Sequence, residues 1–161
     1  LDALTGVYNR GFLEERLHLE VDRAARYDRE LAFAMLDVDH FKAYNDSFGH
    51  PAGDLALQQV ARLLSSGLRS TDTVARYGGE EFVILLPETG KEQAMSLLDR
   101  LRESVEQHDF AAPGTGRPGR LTLSAGVACF PTDADSPDAL RQHADDAVYR
   151  AKDAGRNRVV G

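Results

Sequence analysis

Two neighbouring glutamates on a pair of glycines, Gly78-Gly79-Glu80-Glu81-Phe82, are the strongest chemical signal in the chain. Strand-like runs flank them, Thr73-Val74-Ala75-Arg76-Tyr77 before and Phe82-Val83-Ile84-Leu85-Leu86 after. Two such runs joined by Gly-Gly predict a tight β-hairpin with both glycines at φ > 0. A tip without side chains lets a ligand approach the backbone. Adjacent carboxylates there repel each other unless a cation sits between them. A second acidic place is Asp37-Val38-Asp39, at the end of a nearly unbroken apolar run over 31–38. Asp39 is expected to N-cap the helix that follows. Asp37 has no such role and closes an apolar run where a lone charge is costly. Glu80 and Glu81 alternate across their strand, so one of them is expected to face Asp37. If that strand lies beside the hairpin, Asp37 and one glutamate form a hard-oxygen site for Mg2+. Such a site suits phosphoryl transfer, where a metal neutralises developing charge and activates an attacking hydroxyl. The alternative is a solvated hairpin tip and an unrelated strand-end aspartate.

Cations stand at two places that could serve phosphates. Lys42 falls in the first turn of the helix after the acids, where free N–H groups also favour anions. Lys152 and Arg156 lie one turn apart at the end of the last helix; taken alone, that pair reads as charge complementation of a helix C-terminus.

The elements that must hold these groups follow from periodicity. Asn9 caps a helix to about residue 29, with Phe12, Leu13, Leu17, Val21 and Ala24 on one stripe. The apolar run at 31–38 is a buried strand, and a short helix covers about 40–48. Gly49-His50-Pro51-Ala52-Gly53 reads as a turn before a helix over about 54–68. The hairpin comes next, then a helix over about 91–108, a Pro/Gly loop at 111–119, a strand over 121–130 and a helix over 137–154 stopped by Gly155. Residues 158–160 could add a short edge strand. The order α-β-α-α-β-β-α-β-α-β predicts an α+β sandwich, a mostly antiparallel sheet with helices packed on it and a ferredoxin-like βαββαβ heart.

The 161 residues are expected to form a single domain. A net charge of -7 without a basic stripe argues against a large nucleic-acid footprint. Cys129 is the single cysteine, which excludes a disulfide framework, and its apolar setting predicts a small buried hydrophobe. No membrane-spanning run or signal peptide is present in the sequence. The chain opens at Leu1 without methionine, which suggests the C-terminal part of a longer, regulated protein. A cytoplasmic setting is expected, with any membrane attachment belonging to that parent.

Read together, the motifs resemble those of the GGDEF-domain diguanylate cyclases, here with Glu in the third position of the signature. The resemblance runs over essentially the whole chain: Leu4-Thr5-Gly6-Val7-Tyr8-Asn9-Arg10 at the start, then Asp37 to Asp46, then Phe48-Gly49-His50-Pro51-Ala52-Gly53-Asp54. Arg76-Tyr77 precedes the signature, and Ala151-Lys152-Asp153-Ala154-Gly155-Arg156-Asn157 closes the domain. It implies condensation of two GTP into cyclic di-GMP with release of pyrophosphate, each subunit of an antiparallel pair holding one GTP. Asp37, Glu80 and the Val38 carbonyl would bind Mg2+ (or Mn2+), with Glu81 assisting or standing behind them. Lys42, Lys152 and Arg156 would hold the β- and γ-phosphates with backbone N–H groups near His40 and Phe41, and the triphosphate would lie across Gly78 and Gly79. Asn45 and Asp54 would read the guanine, because a carboxylate accepts from N1–H and N2–H2 together and adenine offers no such pair; alone, Asp54 reads as a charge at a helix start.

Arg69-Ser70-Thr71-Asp72 stands five residues before Gly78, the spacing of the family's inhibitory product site, with Arg100 as a secondary contact. Arginine grips guanine O6 and N7 bidentately and aspartate takes the Watson–Crick edge. The plain alternative is an arginine at a helix end and an aspartate in the next turn. Ala125 departs from the larger aliphatic residue usual in the family, a difference expected to affect packing. The competing functions are a non-catalytic cyclic di-GMP receptor and a GTP-binding regulatory module. Expected partners are GTP, cyclic di-GMP and a second copy of the domain, with no nucleic acid and no direct membrane contact.

Overall fold

The computed structural model describes residues 1–110 and 119–161; the loop expected at 111–119 lies outside the described residues except for Gly119. The elements are α1 (Arg10–Tyr27), β1 (Leu31–Val38), α2 (Phe41–Phe48), α3 (His50–Ser66), β2 (Thr73–Arg76), β3 (Glu81–Pro87), α4 (Lys91–Gln107), β4 (Leu123–Phe130), α5 (Pro137–Asp153) and β5 (Arg158–Val160). The order is the expected one. The sheet runs β2-β3-β1-β4-β5. Its first four strands pair antiparallel in the ferredoxin-like arrangement, and β5 joins β4 in parallel as an edge strand.

Alternation along the strands sorts the core into two layers. Ala32, Ala34, Leu36, Phe82, Ile84 and Leu86 point to the face packed by α3 and α4, with Leu57, Val60, Leu64 and Leu98 against them. Leu31, Phe33, Met35, Val83 and Leu85 point to the opposite face, covered by α1 and α5 through Leu13, Leu17, Val21, Leu140 and Val148. On β4, Gly126 lets α5 sit close: a Cβ there would lie 2.2 Å from the Ala144 carbonyl oxygen. Ala125, fully buried, pairs with Leu36 and Val159. Cys129 is buried as expected, and burial pushes its thiol up to about 11. Among the described residues no helix is long and apolar enough to cross a membrane.

Two local expectations are corrected. Residues 49–53 are not a turn: α3 starts at His50, with Pro51 in its first turn, where a missing N–H leaves no bond unmade. Gly49, at φ 88, makes the break between α2 and α3 alone. Nor is the hairpin a two-residue turn with both glycines at φ > 0. Residues 77–80 connect β2 to β3, and neither Gly78 nor Gly79 has positive φ. The Tyr77 and Gly78 amides both donate to the Glu81 carbonyl, at 2.8 and 3.3 Å, and Arg76 donates through Nε and Nη2 to the Gly79 carbonyl, at 3.1 and 2.7 Å. Those bonds hold a wider loop.

Candidate active site

Asp37 is the last odd-numbered residue of β1, so its side chain continues the face of Phe33 and Met35. Register sets it directly opposite Glu81 on β3 and Ser124 on β4. Opposed residues in an antiparallel pair share a face. Glu81 is therefore the cross-strand neighbour of Asp37. Glu80 lies in the connection, not on the strand as expected, and its carbonyl accepts the Val38 amide at 3.1 Å. Both glutamates still feel Asp37. Burial, then the Asp37 charge, holds the carboxyls of Glu80 and Glu81 above the ordinary range, and the Lys152 ammonium partly opposes this. Lys152, from the end of α5, donates directly to Asp37 Oδ2.

The glycines beside the acids serve different ends. A Cβ on Gly78 would meet Glu81 Oε1 at 2.5 Å, whereas one on Gly79 would meet nothing. The Gly79 side of the loop is open for a ligand to lie against. Among the described residues no three His, Cys, Asp or Glu side chains are gathered as a ready-made metal cage. Mg2+ seldom needs one, since one or two carboxylates plus substrate phosphates usually hold it. Asp37, Glu80 and the Val38 carbonyl offer oxygens of the chemical type that Mg2+ takes.

Asp39 corrects another expectation. It caps no helix: His40, at φ 53 and without a side-chain bond, stands at the α2 N-cap. Asp39 is instead 4% exposed. It accepts from Thr122 Oγ1 at 2.8 Å, Ser124 Oγ at 2.7 Å and the Asn157 amide at 3.0 Å. The closing of β4 and the α5–β5 turn around this strand end draws the carboxylate inward, away from the α2 amides.

α2 leads out of β1 with Phe41 buried and stacked on Tyr44, and with Lys42 exposed in its first turn. Asn45 Oδ1 is buried without a hydrogen-bond partner. It fills the space left by Gly53, where a Cβ would lie 1.7 Å from it. Asp54 follows Gly53 and is exposed. It lies inside α3 and not at the helix start, because the helix begins four residues earlier than its sequence suggests. Arg156, expected at the end of α5, stands beyond it at φ 65.

At the far end of the hairpin Arg69 and Asp72 bind each other. Nη2 reaches Asp72 Oδ1 at 3.1 Å and Nε reaches Oδ2 at 3.3 Å, while the Arg69 amide also donates to Oδ2 at 2.9 Å. Arg69 Nη2 further donates to the Pro87 carbonyl and Thr89 Oγ1. An open groove of about 480 Å3 lies here, and its lining includes Arg69, Asp72, Thr89, Leu97 and Arg100. The three residues expected at a product site thus share one groove. Sequence reasoning missed the Lys152–Asp37 pair and the Asp39 clamp, whose partners lie 83 to 118 residues away and leave no local signal.

The chain matches the family described as "Diguanylate cyclase, GGDEF domain" over residues 1–158. It is 47% identical over 158 residues to diguanylate cyclase DgcP of Pseudomonas aeruginosa, covering 98% of this chain and 23% of that protein. It is 39% identical over 160 residues to response regulator PleD of Caulobacter vibrioides, covering 99% of this chain and 35% of that protein. The chain therefore spans about a quarter to a third of the length of these relatives. Among solved structures, the GGDEF domain of DgcB from Caulobacter crescentus in complex with c-di-GMP superposes with a TM-score of 0.94 at 32% identity, covering 99% of this chain and 90% of that one. The active GGEEF domain of a diguanylate cyclase from Vibrio cholerae gives 0.89 at 32% identity, covering 96% of each chain.

Proposed function

The chain belongs to the GGDEF-domain diguanylate cyclases, and from that premise we propose that it condenses two GTP into cyclic di-GMP and two pyrophosphates. The observation that carries this reading is the acidic end of the sheet, where Lys152 pairs with Asp37 and the carboxyls of Glu80 and Glu81, which feel the Asp37 charge, are held above their ordinary range. Such a cluster is short of positive charge.

Asp37, Glu80 and the Val38 carbonyl would hold Mg2+ or Mn2+, which, when bound, offsets charge on the phosphates and makes the attacking hydroxyl more acidic. Lys152 would move from Asp37 to the phosphates as the ion arrives, joined by Lys42, Arg156 and the first amides of α2 near His40 and Phe41. The Gly79 side of the loop leaves room for the triphosphate. Asn45, with its buried and unpaired Oδ1, and Asp54 would read the guanine edge; an unpaired buried acceptor is costly until a donor arrives. The 3′-oxygen of each GTP, its hydroxyl proton passing to solvent, forms a bond to the α-phosphorus of the GTP on the other subunit; the bond from each α-phosphorus to its bridging oxygen breaks, and two pyrophosphates leave. The chain supplies one half-site, so an antiparallel pair of copies would complete it, within a longer regulated protein. Product would bind at Arg69, Asp72 and Arg100 and restrain the pair.

Turnover of GTP with Mg2+, followed by pyrophosphate release and product chromatography across protein concentration, tests the reading. Cyclic di-GMP should form at a rate rising steeply with concentration, and Glu80→Ala should lower it by about a hundredfold or more. GTP binding without either product at any concentration would favour a GTP-binding regulatory module, and cyclic di-GMP binding alone a receptor.

A further inference from the structure

We propose that Asp39 is a positioning residue: its buried carboxylate holds the turn at 155–157 in the shape that aims Arg156, and so sets how tightly the site takes a triphosphate. The proposal rests on the reading of Arg156 as a phosphate ligand.

The turn is unusual in its backbone. Gly155, Arg156 and Asn157 follow one another at φ 121, 65 and 47. Two of the three are not glycine, and a residue with a side chain is disfavoured in the left-handed region, arginine more than asparagine. A strained run of this kind persists only where its surroundings over-determine it.

Three bonds do so. The Arg156 amide donates to the Ala151 carbonyl at 2.9 Å, tying the turn to α5. The Asn157 side chain is gripped by α4, its Oδ1 accepting from Arg102 Nη1 at 2.9 Å and its Nδ2 donating to Glu106. The Asn157 amide donates inward to Asp39 Oδ2 at 3.0 Å.

That last bond joins the turn to the rest of the site. Asp39 is two residues after Asp37 and one before His40, where α2 begins. Its remaining partners, the Thr122 and Ser124 hydroxyls, orient the carboxylate toward the turn. All three donors to it are neutral. A buried carboxylate with neutral partners is expensive to keep, and what it adds over an uncharged side chain is a stronger bond to a backbone amide. One carboxylate thus ties three segments together: the end of β1 that carries it, the start of β4 through Thr122 and Ser124, and the turn bearing Arg156.

The test separates phosphate grip from base recognition. Binding of a GTP analogue with a non-hydrolysable α–β bridge, with Mg2+, is measured by calorimetry, and binding of GMP by NMR titration. Asp39→Ala should weaken the analogue about tenfold or more while GMP changes by less than about twofold. Asp39→Asn keeps an acceptor for the Asn157 amide and should hold the analogue within about threefold of the parent. Arg156→Ala should weaken the analogue as Asp39→Ala does, and the double variant should add little to either. Equal losses for both ligands, Asn as damaging as Ala, or an Asp39→Ala variant that binds like the parent would each overturn the proposal. If Arg156→Ala leaves analogue binding intact, the assignment of Arg156 to the phosphates fails and the proposal falls with it. If Arg156→Ala weakens binding and Asp39→Ala does not, positioning alone is overturned. Should Asp39→Ala not fold, Thr122→Val with Ser124→Ala removes the hydroxyls that orient the carboxylate and must show the same split between ligands; without it the proposal is overturned.

Discussion

The β2–β3 hairpin carries charged groups at both ends, and the two ends are built on opposite plans. At its foot, Arg69 and Asp72 belong to one turn and satisfy each other. Asp72 has only 1% of its side chain exposed, and its bond and charge hold the Arg69 guanidinium above its ordinary value. At the tip, the carboxyls of Glu80 and Glu81 are also raised, but there the shift means their charge is opposed. Lys152, paired with Asp37 across 115 residues of sequence, relieves both in part, and Arg10 relieves Glu81 as well. The foot is a closed local ring that a ligand must open. The tip is a long-range assembly whose carboxyls remain only partly offset by nearby cations.

The largest break in this comparison should come from Gly126→Ala. The new Cβ would strike the Ala144 carbonyl and the Val148 amide of α5, neither of which can rotate away. A loss of about 2–3 kcal/mol is expected by thermal or urea unfolding, and the displaced α5 should carry Lys152 off Asp37. GTP-analogue affinity should fall in the variant while cyclic di-GMP affinity at the foot persists; equal losses would mean that the two ends are not independent. A smaller effect is expected of Arg69→Ala, which removes the bidentate grip at the foot. Calorimetry should show cyclic di-GMP affinity down by about tenfold or more, with GTP-analogue affinity kept.

The smallest effect sharpens the contrast in charge. A carboxyl raised in the folded chain binds its proton more readily there than in the unfolded chain, so folding is favoured in acid and loses that advantage as pH rises through the carboxylate range. Glu80→Gln and Glu81→Gln should therefore raise the melting temperature near neutral pH, in chelator and without nucleotide. The gain should fade by about pH 4, where the glutamates are themselves largely neutral. A gain independent of pH would show that charge is not its source.

What could be read in the chain followed the same division. The order of all ten elements was legible because each carries its own period, as the Leu13, Leu17, Val21 stripe of α1 and the apolar run of β1 show. That Asp37 and the Glu80–Glu81 pair come together was legible because charges beside apolar strands need a reason. Their arrangement was not. Whether Glu80 or Glu81 faces Asp37 depends on the register of β1 against β3, and the shape of the hairpin loop depends on Arg76 reaching the Gly79 carbonyl. Asp39 read as a helix cap because its local sequence allows one, and only the arrival of β4 and the 155–157 turn gave it other donors. The start of α3 was misplaced because proline and glycine mark turns, although both are tolerated in a first helical turn.

One consequence lies in the margin of the sheet. β2 is an outer strand, and an outer strand with free amides and carbonyls invites pairing with another chain. Here the stretch before α1 lies along it: Tyr8 donates its amide to Val74 at 3.3 Å and accepts from the Arg76 amide at 2.9 Å, in a parallel bridge opposite Ala75. Asp2 reinforces the seal through Arg76, at 3.4 Å. These opening residues thus act as a selvedge, guarding the sheet against strand-to-strand pairing at the margin that carries the hairpin.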